Sequence, residues 1–66
     1  MNVFVNGEPV ELTDGATTAT AVQRLTSAVS GIAVAVNGEV VRRSEWESTR
    51  LADGDQVEVL TAVQGG

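Results

Sequence analysis

Val3-Phe4-Val5-Asn6-Gly7-Glu8-Pro9-Val10 recurs in this chain as Val34-Ala35-Val36-Asn37-Gly38-Glu39-Val40-Val41. Asn-Gly between β-forming residues is the strongest short-range hairpin signal, because a type I′ turn holds both central residues at positive φ and these two types tolerate it best. Each copy therefore predicts a β-hairpin. Two copies of this length are too few for a solenoid, so one turn chemistry is used twice. With a two-residue loop, Val5 faces Glu8, Phe4 faces Pro9 and Val3 faces Val10. Alternation then puts Val3, Val5, Val10 and Leu12 on one face and Phe4 on the other. In the second copy Ile32, Val34, Val36 and Val41 point inward, while Ala33, Ala35 and Val40 point outward. Pro9 has no N–H to give to a ladder, so its strand is expected at a sheet edge.

Between the hairpins, Thr18, Ala21, Val22, Leu25, Ala28 and Val29 recur at helical spacing, with Thr17 as N-cap and Gly31 as the stop. The spacing predicts one amphipathic helix of about three turns. Its Thr content favours helix poorly, so packing against the sheet must hold it, and the hydroxyls over residues 17–26 are expected at the cap and on the helix surface. Downstream, Ser44-Glu45-Trp46 reads as a capped single turn. Asp53-Gly54-Asp55 reads as a plain turn, lacking the loop length and terminal Glu of a calcium-binding hand. The segment Gln56-Val57-Glu58-Val59-Leu60-Thr61 is a strand with Val57 and Val59 inward and Leu60 outward. Trp46 is expected to close one end of the core, and Arg42 and Arg43 to be solvated. The order predicts an α+β fold, a mixed sheet of four to five strands with one helix packed on one face.

Sixty-six residues at 42% hydrophobic composition make one small domain, and such a chain buries only about 60% of the surface it exposes when unfolded. There is no Cys, His or Tyr, and all four cationic side chains are Arg. Most nucleophiles, general bases and soft metal ligands are thus missing, which argues against an autonomous enzyme: no catalytic residue and no metal ligand is assigned. A net charge of −5 repels polyanions, so nucleic acid is not expected as a partner. Without Cys there is no disulfide framework, and stability must come from packing. Met1-Asn2-Val3-Phe4 lacks a basic leader, and no stretch approaches the roughly 18 apolar residues of a membrane span. The expectation is a soluble, cytoplasmic protein with no membrane partner.

The chain closes on Ala62-Val63-Gln64-Gly65-Gly66. Glycines have no Cβ and permissive dihedrals, so such an end can lie extended in a channel too narrow for other residues. Residues 63–66, stretched, reach about 13 Å. An α-carboxylate is an anion at neutral pH and a poor electrophile until a leaving group is attached, so its activation must come from another protein.

Taken together, the first hairpin, the helix, the Val36-Asn37-Gly38-Glu39 turn followed by Arg43-Ser44-Glu45-Trp46, the run Leu51-Ala52-Asp53-Gly54-Asp55-Gln56-Val57-Glu58 and the terminal Gly65-Gly66 resemble the ThiS family. These are sulfur carriers of thiamin biosynthesis with a ubiquitin-like β-grasp fold. The resemblance spans essentially the whole chain; Arg42 departs from it, standing where many relatives carry Pro. It implies a β-grasp domain over residues 1–62 and a flexible Gly-Gly tail over 63–66. Gly66 would be the point of adenylate and sulfur attachment, with Val63, Gln64 and Gly65 threaded into partner active sites. The implied partners are an ATP-dependent adenylating enzyme of the ThiF type, a sulfur donor protein and a thiazole synthase of the ThiG type. The chain itself would bind no cofactor, the ATP being used by the activating partner.

Phe4, Ala35 and Leu60 are expected to form an apolar patch opposite the helix, and with Ala62 they are the candidate docking residues. Three other readings stay open. The chain could serve as a MoaD-like small subunit of a molybdopterin synthase, or as a ubiquitin-like modifier joined through Gly66 to target lysines. It could also be a binding module cut from a longer chain.

Overall fold

A computed structural model describes residues 1–26 and 31–61. The elements are β1 (Asn2–Val5), β2 (Glu8–Glu11), α1 (Thr18–Leu25), β3 (Ile32–Val36), β4 (Glu39–Val41), a single 3-10 turn (Arg43–Glu45) and β5 (Gln56–Thr61). Both hairpins form in the expected register, with Val3 opposite Val10 and Phe4 opposite Pro9, and Val34 opposite Val41. Their turns are alike: φ is 52° at Asn6 and Asn37 and 86° at Gly7 and Gly38, both central residues in the left-handed region. The five strands form one sheet in the order β2-β1-β5-β3-β4. Strand β5 lies between the hairpins, parallel to β1 and antiparallel to β3. Pro9 is on the outermost strand, where its missing N–H interrupts no ladder.

The core lies between the sheet and α1. Val3, Val5, Leu12, Val34, Val41, Val57 and Val59 meet Ala19, Ala21 and Val22 of the helix, and Ile32, Val36 and Val10 pack around them half-buried. Trp46 closes one end of this core, with its indole Nε1–H donating to the Val41 carbonyl at 3.0 Å. Ala16 and Leu51 complete the buried cluster. Neither carried a periodic signal, since each sits in a short, mostly polar connection with no repeating apolar spacing. They are drawn in because the connection after Trp46 caps the helix. The Thr18 and Ala19 N–H groups donate to the Thr49 and Trp46 carbonyls at 2.9 and 3.0 Å, and the Leu51 N–H donates to the Ala16 carbonyl at 2.9 Å. The Thr18 and Ala19 N–H groups are donors that a helix N-terminus cannot satisfy internally.

Three expectations for this region are corrected. The helix ends at Leu25, short of Gly31: Thr26 is extended (φ −152°, ψ 152°), a geometry that suits its β-branched side chain, and its N–H closes the last turn on the Val22 carbonyl. Gly31 does sit at positive φ (71°), but it leads into β3. Ala28 and Val29 lie outside the described residues. Leu25 is exposed rather than buried; at the last helical position it stands beside Glu8 and Val10 of the outermost strand β2, at the rim of the core. Thr18 is fully buried, as its place in the apolar stripe predicts and against the surface position expected of the hydroxyls over 17–26; it tolerates burial because its hydroxyl donates to the Thr49 carbonyl at 3.3 Å. Thr17 starts the helix as expected, and its own N–H is held by Thr20 Oγ1 at 3.2 Å.

Candidate functional site: strand β5 and the outer face of the sheet

Strand β5 leads to the chain's terminal segment, so what holds β5 matters most. On the β1 side, regular pairing stops at Val5, which is level with Val57, because β1 turns away at Asn6-Gly7. Asn6 continues the contact alone. Its backbone N–H donates to the Val57 carbonyl at 2.8 Å, its Oδ1 accepts the Val59 N–H at 2.8 Å, and its Nδ2 donates to the Val59 carbonyl at 3.2 Å. On the other side, β3 turns away at Asn37-Gly38 and the same device recurs. The Asn37 N–H donates to the Gln56 carbonyl at 2.7 Å, Oδ1 accepts the Gln56 N–H at 2.9 Å, and Nδ2 donates to Asp55 Oδ1 at 3.0 Å. The duplicated Asn-Gly therefore does more than turn the chain: each amide takes over the ladder where a neighbouring strand ends.

The turn before β5 is stitched as well. Asp55 Oδ2 accepts the Ala52 N–H at 2.8 Å, Asp53 Oδ1 accepts the Asn2 N–H at 2.7 Å, and the Gly54 N–H donates to the Asn2 carbonyl at 2.7 Å. The two aspartates of Asp53-Gly54-Asp55 thus work as backbone acceptors. Among the described residues, no three His, Cys, Asp or Glu side chains come together so as to hold a metal ion.

On the face away from the helix, Phe4 and Leu60 line one shallow depression together with Asn6, Gly7, Gln56, Val57 and Glu58. They are 38% and 68% exposed. Phe4 and Leu60 face outward on the neighbouring strands β1 and β5, as alternation along the strands predicts. Phe4 is level with Gln56, so Leu60 lies four residues further along β5, roughly 13 Å away. Gln56 stands beside Phe4, and Glu58 stands between Phe4 and Leu60 on the same face, because β5 presents every second residue there. Ala35 is opposite Glu58, and Ala33 opposite Leu60. Val40, opposite Ala35, is 78% exposed and extends the face across β4. The candidate surface is thus apolar points around a carboxylate. Arg43 is not simply solvated, since its guanidinium lies 4.7 Å from the Trp46 ring centroid.

Ala62, Val63, Gln64, Gly65 and Gly66 lie outside the described residues, and with them the boundary expected between domain and tail. The side-chain roles of Asn6 and Asn37 were missed in the sequence; the recurrence of Asn at the same place in both hairpins was their signal. No described helix is long and apolar enough to cross a membrane.

Comparison with known proteins agrees with this architecture. The ThiS family model matches residues 3–66. Sulfur carrier protein ThiS of Thermus thermophilus is 38% identical over 64 residues, covering 97% of this chain and 98% of the relative. Its counterpart in Escherichia coli K12 is 27% identical over 66 residues, covering all of both chains. The crystal structure of a thiamine biosynthesis protein (ThiS) from Geobacter metallireducens superposes with a TM-score of 0.78 at 33% identity, covering both chains completely. A solution structure of a thiamine biosynthesis protein from that organism gives a TM-score of 0.80 at 35% identity, covering all of this chain and 88% of the other. With a five-stranded mixed sheet gripping one helix in the β-grasp arrangement and a family match that runs from β1 through Gly66, this chain belongs to the ThiS family of sulfur carriers.

Proposed function

We propose that this chain carries sulfur on its C-terminal carboxylate for thiazole formation in thiamin biosynthesis, as a protein acted upon rather than a catalyst. The observation that carries this reading is the family match over residues 3–66, which includes Gly65 and Gly66. In the first step the Gly66 carboxylate attacks the α-phosphorus of ATP bound to a ThiF-type partner, forming an acyl-adenylate and releasing pyrophosphate. In the second, a hydrosulfide equivalent from a donor protein adds to the activated carbonyl and expels AMP with loss of a proton, leaving a thiocarboxylate. Sulfur thereby becomes a covalently held nucleophile that a ThiG-type synthase can use. Residues 63–66 act as the threaded tail, and Gly65 and Gly66, which carry no Cβ, suit a narrow channel. The outer face of the sheet, with Phe4, Ala35 and Leu60, and Ala62 beyond it, serves as the docking surface.

Intact mass of the chain incubated with the activating enzyme, ATP and a sulfur donor tests this. The expected result is an adenylate and then one oxygen-to-sulfur exchange, both mapping to Gly66. Removing Gly66 is expected to abolish both while leaving thermal unfolding essentially unchanged. Absence of both products on the intact chain would refute the reading; thiol-resistant adducts of higher mass in cell extract would favour a protein modifier instead.

A further inference from the structure

We infer that Asn37 is a site of spontaneous covalent modification, the hydrolysis of its side-chain amide through a cyclic imide, and that Asn6, its counterpart in the other hairpin, is protected from it. This chemistry is independent of the sulfur-carrier reading of Gly66. Asparagine is a thermolabile residue, and a following glycine leaves the next backbone nitrogen with no Cβ to shield it. The Gly38 nitrogen attacks Cγ of Asn37, the Cγ–Nδ2 bond breaks, and the proton from that nitrogen leaves with ammonia. Water then opens the ring at either carbonyl, giving aspartate or isoaspartate at position 37 and releasing a proton. The two sites are chemically alike, Val5-Asn6-Gly7-Glu8 and Val36-Asn37-Gly38-Glu39, and their turns have the same φ values. A difference in rate between them is therefore set by the fold.

Both side chains are held by hydrogen bonds to β5 or the turn before it, so each amide must be released before it can react. Release costs more at Asn6. Its amide takes the N–H and the carbonyl of Val59 in part-buried positions, and Val59 is only 4% exposed, so freeing the side chain orphans two polar groups that water reaches poorly. The Asn37 amide takes the Gln56 N–H and Asp55 Oδ1, both bonds being exposed, and there water can replace it. The product loosens the turn before β5. Nδ2, which donates to Asp55 Oδ1 at 3.0 Å, gives way to a carboxylate oxygen facing another carboxylate, and the same Asp55 holds the Ala52 N–H through Oδ2. Isoaspartate also adds a backbone carbon to a two-residue loop whose register, with Val36 opposite Glu39, is built without one.

The folded chain is incubated at neutral pH in heavy-oxygen water, which labels the carboxylate formed, then cleaved at arginine in ordinary water and mapped by mass spectrometry. Cleavage after Arg24 and Arg42 places Asn6 and Asn37 in separate peptides, and fragment ions tell Asn6 from Asn2. The expected result is that Asn37 reacts about tenfold faster than Asn6 in the folded chain, while in guanidinium chloride the two agree within about twofold, because only local sequence then acts. Asp55→Ala, which deprives Nδ2 of its acceptor, should speed reaction at Asn37 and leave Asn6 unchanged. Equal rates in the folded chain, faster reaction at Asn6, or no reaction at Asn37 under conditions where the denatured chain reacts would each overturn the assignment. So would acceleration of both sites together in Asp55→Ala, since release would then belong to the whole domain and not to the Asn37 side chain. Asn37→Asp reproduces one product directly; it is expected to unfold at a lower temperature than the unaltered chain and to recover part of the difference at high salt, where the facing carboxylates are screened. An unchanged midpoint would refute the loosening.

Discussion

Trp46 and Val41 are joined by a 3.0 Å hydrogen bond from the indole N–H to the last carbonyl of β4. Both residues are buried, so the bond links the edge strand to the connection that caps α1 in a place where water cannot substitute. Trp46→Phe keeps most of the apolar volume but removes this bond and leaves the buried Val41 carbonyl with its ladder pairing opposite Val34 alone, which costs about 0.5–1.5 kcal/mol. For a domain of this size each kcal/mol lowers Tm by about 4–8 °C. Far-UV circular dichroism during urea and thermal unfolding checks this; an unchanged midpoint would mean that the carbonyl finds another partner.

Arg43 over the same ring should contribute about 0.5–1 kcal/mol, in the range of an exposed cation–π contact. Arg43→Ala is expected to lose that amount and to alter the emission of Trp46, the only Trp in the chain, while Arg43→Lys should retain part of it. Denaturant titration followed by Trp fluorescence reads both effects.

At Gly54 an added Cβ would meet nothing within 4 Å, yet φ is +88°. Any penalty there is one of backbone conformation alone. Gly54→Ala should cost about 1–2 kcal/mol. D-alanine at the same position, introduced by chemical synthesis, should cost nothing or stabilise slightly, because its preferred φ has the opposite sign. Equal Tm values for the two alanines would overturn this account.

Val57 and Leu60 are three residues apart on β5 and should respond oppositely. Val57 is buried on the helix side and Leu60 exposed on the other. Val57→Ala should cost roughly 2 kcal/mol through lost burial and a residual cavity. Leu60→Ala should stay within about 0.5 kcal/mol while raising the KM for adenylation if the outer face docks the activating enzyme. Unfolding midpoints and adenylation kinetics measured on both variants separate the two faces.

The hairpins, their registers and the inward and outward faces were legible in the sequence because alternation and Asn-Gly turns are local rules. The Val3 and Val34 stripes and the edge position of Pro9 all follow from them. What escaped depends on residues distant in sequence. The burial of Leu51 and the partner of the Thr18 hydroxyl follow from a cap supplied by a loop some thirty positions away. The exposure of Leu25 follows from where α1 stops, which periodicity alone overran. On the candidate surface, Phe4 and Leu60 were correctly placed outward, but their separation by Glu58 follows from the parallel register of β1 with β5, which no local pattern encodes. Asn6 and Asn37 were visible as turn residues; their grip on β5 appears only once that strand lies between them.

Because the sheet's middle strand comes after the other four described strands in the sequence, the two hairpins have no shared partner until β5 has followed both of them from the ribosome. Assembly of this domain is therefore governed by contacts between its two ends, the slow class of folding event. Until β5 arrives, the inner edges of β1 and β3 remain unpaired strand edges, of the kind that invites association between nascent chains.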